Sequence, residues 1–239
     1  MTDANYYNYY FSSNEIKGSS QRLRARSELI YELIEPLLPL NAPVLELGVG
    51  KGLFAETCTT HGHPYHGVED NSAQCHQLEA DGFKVTCGRV PPVPLERGKF
   101  GLIYSSHLIE HLPGSHAVHE LLTDCQRLLA PGGVLALVFP DIMSMGNHFW
   151  NVDYTHAWAT TERRVSQVLA DSGYSVRAVH KLRGHLRGGR KLLAAAGSRP
   201  IVLKAAHTIA RNPEKRDIYY RGWLYLQREI LLIAAPRSG

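Results

Sequence analysis

The chain has 239 residues, 44% of them apolar and 20% charged, with a formal net charge of +4. This suits one large globular domain. There is no run of 18 apolar residues to form a transmembrane helix, and the first ten residues lack a signal peptide's basic and apolar regions, so the cytoplasm is the expected compartment. Cys58, Cys75, Cys87 and Cys125 include no C-x-x-C pair, which argues against both a zinc site and a disulfide framework.

The charge is uneven. Between Lys181 and Leu226 stand eleven Lys or Arg against two acids, Glu214 and Asp217, a local net of +9 that leaves about −5 on the remainder. A basic module therefore sits beside an acidic body.

Residues 1–18 are polar and aromatic, with Tyr6, Tyr7, Tyr9, Tyr10 and Phe11 close together. The spacing of Leu23, Ile30, Leu33, Ile34 and Leu37 predicts an amphipathic helix over 19–38, so residues 1–40 read as an N-terminal helix with a tyrosine-rich lid or tail. Residues 41–239 then alternate between short apolar runs and helical stretches. Strands are predicted at 43–47, 65–69, 83–87, 100–105 and 134–139, and helices at 53–60, 72–81 and 116–129. A further helix at 160–172 precedes strands at 176–181 and 228–235, with a basic helical insertion at about 183–226 between them. The expected fold is α/β: a Rossmann-like three-layer sandwich whose seven-stranded, mostly parallel sheet ends in an antiparallel hairpin.

Gly48, Gly50 and Gly52 follow the first strand where a helix begins, which lets the backbone turn sharply and approach a ligand. The phosphate-binding pattern G-x-x-x-x-G-K-[ST] fails on spacing, and the dinucleotide fingerprint from Gly48 meets Leu53 where it needs glycine or alanine. Glu46 would also place an anion beside a pyrophosphate. S-adenosylmethionine fits better, because it has no phosphate and carries a sulfonium and an ammonium. Glu69, about 20 residues after the loop, is placed to accept hydrogen bonds from both ribose hydroxyls.

On these residues the chain resembles the class I S-adenosylmethionine methyltransferases, especially the small-molecule branch with the type 11 pattern. The resemblance covers roughly residues 42–180. It rests on the runs 44–52, 67–72, 100–112 and 127–135, the last similar to the family's R-hydrophobic-L-x-P-G-G turn. It implies that Glu46, Gly48, Gly50 and Gly52 hold the methionine end and Glu69 the ribose. Asp70 and the backbone of Arg89 and Val90 would flank the adenine, and Ser105 to His107 would floor the methyl group. Two positions depart from the pattern. Arg89 stands near the place of an adenine-binding acid, and Gly101 replaces the aspartate usual after Phe100.

His107, Glu110 and His111 share one face of a helical turn. They could pack the turn, contact substrate or act as a base; a divalent ion is the remaining reading, and no metal is expected. His116 and His119 read as surface residues. The loop after the fifth strand, residues 141–161, belongs at the acceptor side and carries His148, Trp150, Asp153, Tyr154, His156 and Trp158. His107, His111, Asp153 and His156 are the catalytic candidates, with histidine as a workable base and Asp153 as its orienting group.

The expected activity is methyl transfer to O or N of a small metabolite, with an anionic or lipid-linked acceptor suggested by the basic insertion. That insertion reads as a solvated face, an anion-binding surface or a peripheral membrane contact. Nucleic acid is not expected, since no aromatic-basic platform is present. An RNA or protein methyltransferase and a non-catalytic cofactor-binding scaffold are the alternatives. Ser105–Leu108 lacks the Asn/Asp-Pro-Pro-aromatic motif of many RNA N-methyltransferases, and a scaffold has no need of Glu46 and Glu69.

Overall fold

A computed structural model describes residues 19–96, 99–210 and 212–237, so the tyrosine-rich segment expected to act as a lid lies outside the described residues. Helix α1 (Ser19–Ile34) leads through a 3-10 turn (Glu35–Leu37) into β1 (Val44–Leu47). Then come α2 (Leu53–Thr60), β2 (Tyr65–Glu69), α3 (Ser72–Ala80), β3 (Val85–Cys87) and β4 (Phe100–Ser106). A 3-10 turn (Ile109–His111) precedes α4 (Ser115–Leu128) and β5 (Leu129–Pro140). Two short helices, α5 (Ile142–Met145) and α6 (His148–Val152), occupy the loop after β5, where the sequence suggests none. The chain closes with α7 (Glu162–Asp171), β6 (Tyr174–Leu182), α8 (Gly189–Gly197), α9 (Pro200–Ile209), α10 (Pro213–Tyr225) and β7 (Glu229–Pro236).

The sheet order is β3-β2-β1-β4-β5-β7-β6. The first five strands run parallel, while β7 is antiparallel to both β5 and β6. This is the expected sheet. Because β7 enters between β5 and β6, its first residue, Glu229, arrives at the edge where the parallel strands end. Strand β5 starts earlier than expected, at Leu129 rather than Val134; its pairing with β4 jumps from Phe100–Leu129 to Leu102–Val134, which absorbs Pro131-Gly132-Gly133 as a bulge.

Two apolar layers cover the sheet. On one side α4 and α7 contribute Leu121, Leu122 and Leu169 against Leu45, Ile103 and Leu137. On the other, α1 and α2 contribute Ile30, Ile34 and Phe54 against Val44, Leu102 and Ile233. The β1 burial is unbroken, as a strand covered on both faces requires. Cys75 and Cys87 are joined in a disulfide with Cα atoms 6.0 Å apart, a correction to the spacing argument against disulfides. The turn at Gly82 folds α3 back along β3, so residues 12 apart in sequence become neighbours.

The departure at Gly101 has a packing cause. A Cβ built there would lie 2.4 Å from the Ala42 Cβ, so no side chain fits. Gly101→Ala should lower stability by about 1–3 kcal/mol in thermal unfolding, and adding Ala42→Gly should recover most of the loss.

Candidate functional site

The carboxyl ends of β1, β2 and β4 converge on the glycine loop. Gly48, Gly50 and Gly52 take φ values of 76°, 57° and 72°, a left-handed path that L side chains rarely adopt. Leu78 of α3 fills the space beside Gly52, where an added Cβ would lie 2.8 Å from its Cδ2. On the other side a Cβ built on Gly48 would lie 3.5 Å from Leu108 Cδ1, so the loop and the turn after β4 are neighbours.

Two carboxylates face this loop. Glu69 is nearly buried; its Oε2 accepts from Gly50 N at 2.9 Å and its Oε1 from Asn71 N at 3.0 Å. Burial raises its pKa, partly offset by those N–H donors. Each oxygen keeps a second lone pair, enough for a pair of vicinal hydroxyls. Glu46 is held differently. It is buried on β1 and accepts one hydrogen bond, from Tyr65 OH at 2.6 Å. Burial pushes its pKa up to about 8, against the Tyr65 hydrogen bond and with the nearby Glu69 charge adding to the rise. A buried carboxyl without a cationic partner is a poor stabiliser but a good receptor for a cation.

The other expected cofactor contacts lie around the same rim. Asp70 is exposed directly after Glu69, and Arg89 is exposed beyond β3. The Val90 side chain is committed to the core, so only its backbone is available to a ligand. Ser105 is buried at the tip of β4, and its Oγ lacks a hydrogen-bond partner among the described residues.

The histidines fall into two environments. His107, at φ 54°, sits between two carboxylates: Nδ1 is 3.0 Å from Glu110 Oε1 and Nε2 is 2.9 Å from Glu229 Oε1. Burial lowers its pKa, but these two acceptors outweigh burial and raise it to about 9. An imidazolium donating from both nitrogens has no lone pair for a proton, so His107 is a positioned cation rather than the base expected from sequence. Arg26 of α1 completes the cluster, 2.8 Å from Glu229 Oε2. Burial alone would raise the Glu229 pKa, but Arg26 and His107 together lower it to about 2.

His111 and His156 form the second environment, ring centroids 4.8 Å apart. Burial is the largest cause that lowers the His111 pKa, so the neutral ring is favoured. Backbone pairing brings them together: Ala157 N and Trp158 N both donate to the Glu110 carbonyl, at 2.8 and 3.0 Å. The tautomers follow from the partners. Thr155 Oγ1 donates to Asp153 Oδ1 at 2.7 Å, because a carboxylate only accepts, so the same hydroxyl accepts from His111 Nδ1 at 2.8 Å. His156 Nδ1 donates to the Phe149 carbonyl at 2.6 Å. Both rings therefore carry their lone pair on Nε2. Asp153 reaches His111 through Thr155, not directly as the sequence suggests.

One donor atom each from Glu110, His111 and His156 lies within 4.8 Å of the other two, a spacing that would suit a small cation. Glu110 is fully buried, and its Oε2 has no hydrogen-bond partner among the described residues.

The remaining candidates play outer roles. His148 packs edge-on against Trp223, centroids 4.6 Å apart. Trp158 is buried, with the Arg164 guanidinium 5.1 Å from its ring centre. Trp150 and Tyr154 are exposed. His116 and His119 are both on the surface as expected, and His119 also bonds Ser172 Oγ at 2.8 Å. Sequence reasoning missed Arg26, Glu229 and Tyr65, and it placed Thr155 in a pocket-lining segment without a role of its own. Arg26 and Glu229 are 203 residues apart, and no local pattern links them.

The raised Glu46 pKa has a measurable consequence. The folded protein holds this proton more tightly than the unfolded chain, so its contribution to stability falls as pH rises from the ordinary 4.5 through about 8. Glu46→Gln should melt with the wild type near pH 4, and at a higher temperature than the wild type above about pH 8.

The methyltransferase domain family model matches residues 20–179, two thirds of the chain. No curated protein sequence matches. Among solved structures, an S-adenosylmethionine-dependent methyltransferase from Archaeoglobus fulgidus aligns with a TM-score of 0.62 at 18% identity, over 96% of this chain and 99% of its own. One from Mesorhizobium loti gives 0.60 at 16% identity, over 87% and 98%. The phosphoethanolamine N-methyltransferase 2 of Haemonchus contortus, in complex with S-adenosylmethionine, gives 0.63 at 12% identity, over 99% of this chain and 60% of its own. At these identities the likeness speaks for the fold, and the family match adds the chemistry. With its glycine loop and two carboxylates at the ends of β1 and β2, the chain belongs to the methyltransferase domain family and is a class I S-adenosylmethionine-dependent methyltransferase.

Proposed function

We propose that the enzyme methylates an oxygen or nitrogen of a small metabolite, with His111 receiving the acceptor's proton. The Asp153–Thr155–His111 relay carries this reading, because it fixes the tautomer that leaves Nε2 basic. When bound, S-adenosylmethionine supplies an electrophilic methyl group on a sulfonium. Glu46 suits the ammonium and sulfonium charges, and Glu69 suits the ribose hydroxyls. Ser105 and the turn around Leu108 border the loop on the side of the reacting centre.

At the acceptor side, His111 Nε2, His156 Nε2 and Glu110 Oε2 are all acceptors. A hydroxyl gives its proton to His111 as the new bond to carbon forms, whereas an ammonium gives it up first and the freed nitrogen lone pair then attacks; in both cases the methyl carbon's bond to sulfur breaks. Methyl transfer otherwise depends on alignment. A small acceptor is supported by the covering helices: Asn151 of α6 donates to Tyr220 OH of α10 at 3.1 Å, and His148 packs on Trp223, so the insertion closes over the loop after β5. An anionic or lipid-linked acceptor is supported by the basic character of that cover.

In calorimetric titration, Glu69→Ala should weaken S-adenosylmethionine binding by about 10- to 150-fold, from the loss of a charged acceptor. A variant that binds like the wild type would remove the ribose assignment. His111→Gln should reduce kcat by roughly 10²–10⁴-fold with cofactor affinity unchanged. Thr155→Val should lower kcat by about tenfold or more while Thr155→Ser restores it. A kcat within twofold of wild type for His111→Gln sinks the base assignment. Dialysis against a chelator should leave the rate intact. Loss restored by a divalent ion would instead assign Glu110, His111 and His156 to a metal.

A further inference from the structure

The insertion between β6 and β7 has two unlike faces. Its inner face is packed: Leu203, Ala210 and Trp223 are buried, and Arg183 ties its ends together through Ser198 Oγ at 2.8 Å and the Leu226 carbonyl at 2.6 Å. Its outer face is apolar where a solvated face would be polar. Leu192 and Leu193 of α8 are 76% and 75% exposed, and Ile201 and Ile209 of α9 are 73% and 74% exposed. On α9 the exposed Ile201, Ala205 and Ile209 fall four residues apart, a second apolar stripe beside the buried one. A single exposed aliphatic side chain is ordinary, but four on two consecutive short helices, each about three-quarters exposed, are not.

The same helices are rich in cations. Arg187, Arg190, Arg199, Lys204, Lys215, Arg216 and Arg221 are exposed on or beside these helices. Arg221 is paired with Asp217 at 2.7 Å and Arg187 with Glu32 of α1 at 2.6 Å. The insertion also has a fixed place: β6 runs with the parallel strands, so the chain leaves it at the edge holding the glycine loop and His111.

We infer that the outer face of α8 and α9 docks on an anionic lipid surface, with Leu192, Leu193, Ile201 and Ile209 entering the boundary between headgroups and acyl chains. Aliphatic side chains on helices rich in Lys and Arg match that boundary in both polarity and charge. A second copy of the chain would set one +9 module against another, which disfavours self-association through this face. A nucleic acid would meet aliphatic side chains where it needs stacking platforms. Docking would bring the site's open edge to the bilayer, yet the inference does not depend on methyl transfer, since binding is read without turnover.

The test is co-sedimentation of the full chain with vesicles of phosphatidylcholine alone, or of phosphatidylcholine and phosphatidylglycerol in equal parts, at low and high salt. Binding should require phosphatidylglycerol and weaken with salt. It should fall by about tenfold or more in Leu192→Ser/Leu193→Ser/Ile201→Ser/Ile209→Ser, and likewise in Arg190→Glu/Lys204→Glu. Circular dichroism and S-adenosylmethionine titration check that both variants fold. Independently, the emission of Leu192→Trp should shift to the blue with the mixed vesicles. Wild-type protein left in the supernatant at low salt overturns the inference, as does a serine variant that sediments like wild type. So does a dimer in gel filtration that the serine variant dissolves.

Discussion

The site hangs on a cluster of four charges: Arg26, Glu229, His107 and Glu110. They come from α1, β7, the tip of β4 and the turn that follows it, so one electrostatic contact joins both ends of the chain to its middle. The two cations and two carboxylates alternate, and each carboxylate has a partner. That balance matters because removing one member leaves its neighbour without a counter-charge, most severely at Glu110, the fully buried member. The cluster also explains the unusual backbone at His107. A left-handed non-glycine residue is strained, and it persists where surrounding contacts over-determine it. Two ion pairs on one imidazole supply that constraint.

Across the glycine loop the design reverses. Glu46 is as buried as Glu110, but among the described residues its hydrogen-bond partner is a neutral tyrosine hydroxyl, and its proton is held up to about pH 8. The balanced cluster stabilises the protein by itself, while Glu46 is compensated when a cationic ligand arrives. The second pair of histidines continues this contrast. His107 is fixed as a cation by carboxylates, and His111 is kept neutral by burial and steered by a threonine. Residues four positions apart therefore do opposite electrostatic jobs.

The sheet and the cofactor loop were legible because their signals are local. Period, glycine spacing and a carboxylate about 20 residues on are properties of short windows. Gly101 was visible as a departure, but its cause, the Ala42 methyl group, came from packing. The roles of the histidines were not readable in the same way. His107 and His111 look alike in sequence, and their protonation depends on Glu229 and Thr155, which lie 122 and 44 residues away. Thr155 lies in a segment, 153–156, legible as pocket lining, but its hydroxyl was given no role because Asp153, two residues earlier, offered the familiar charge. The Cys75–Cys87 link was hidden for a similar reason: it depends on how α3 folds back on β3, not on a spacing motif.

The route of β7 has a further consequence for what counts as the domain. The family match stops at residue 179, before the last strand, although that strand lies inside the sheet rather than at its border. A chain cut where the family resemblance ends would leave the flank of β5 unpaired and His107 with one carboxylate instead of two. The shared core and the self-sufficient unit are thus different lengths. The insertion is held between two strands that this edge of the sheet needs, so it cannot be shed with the tail.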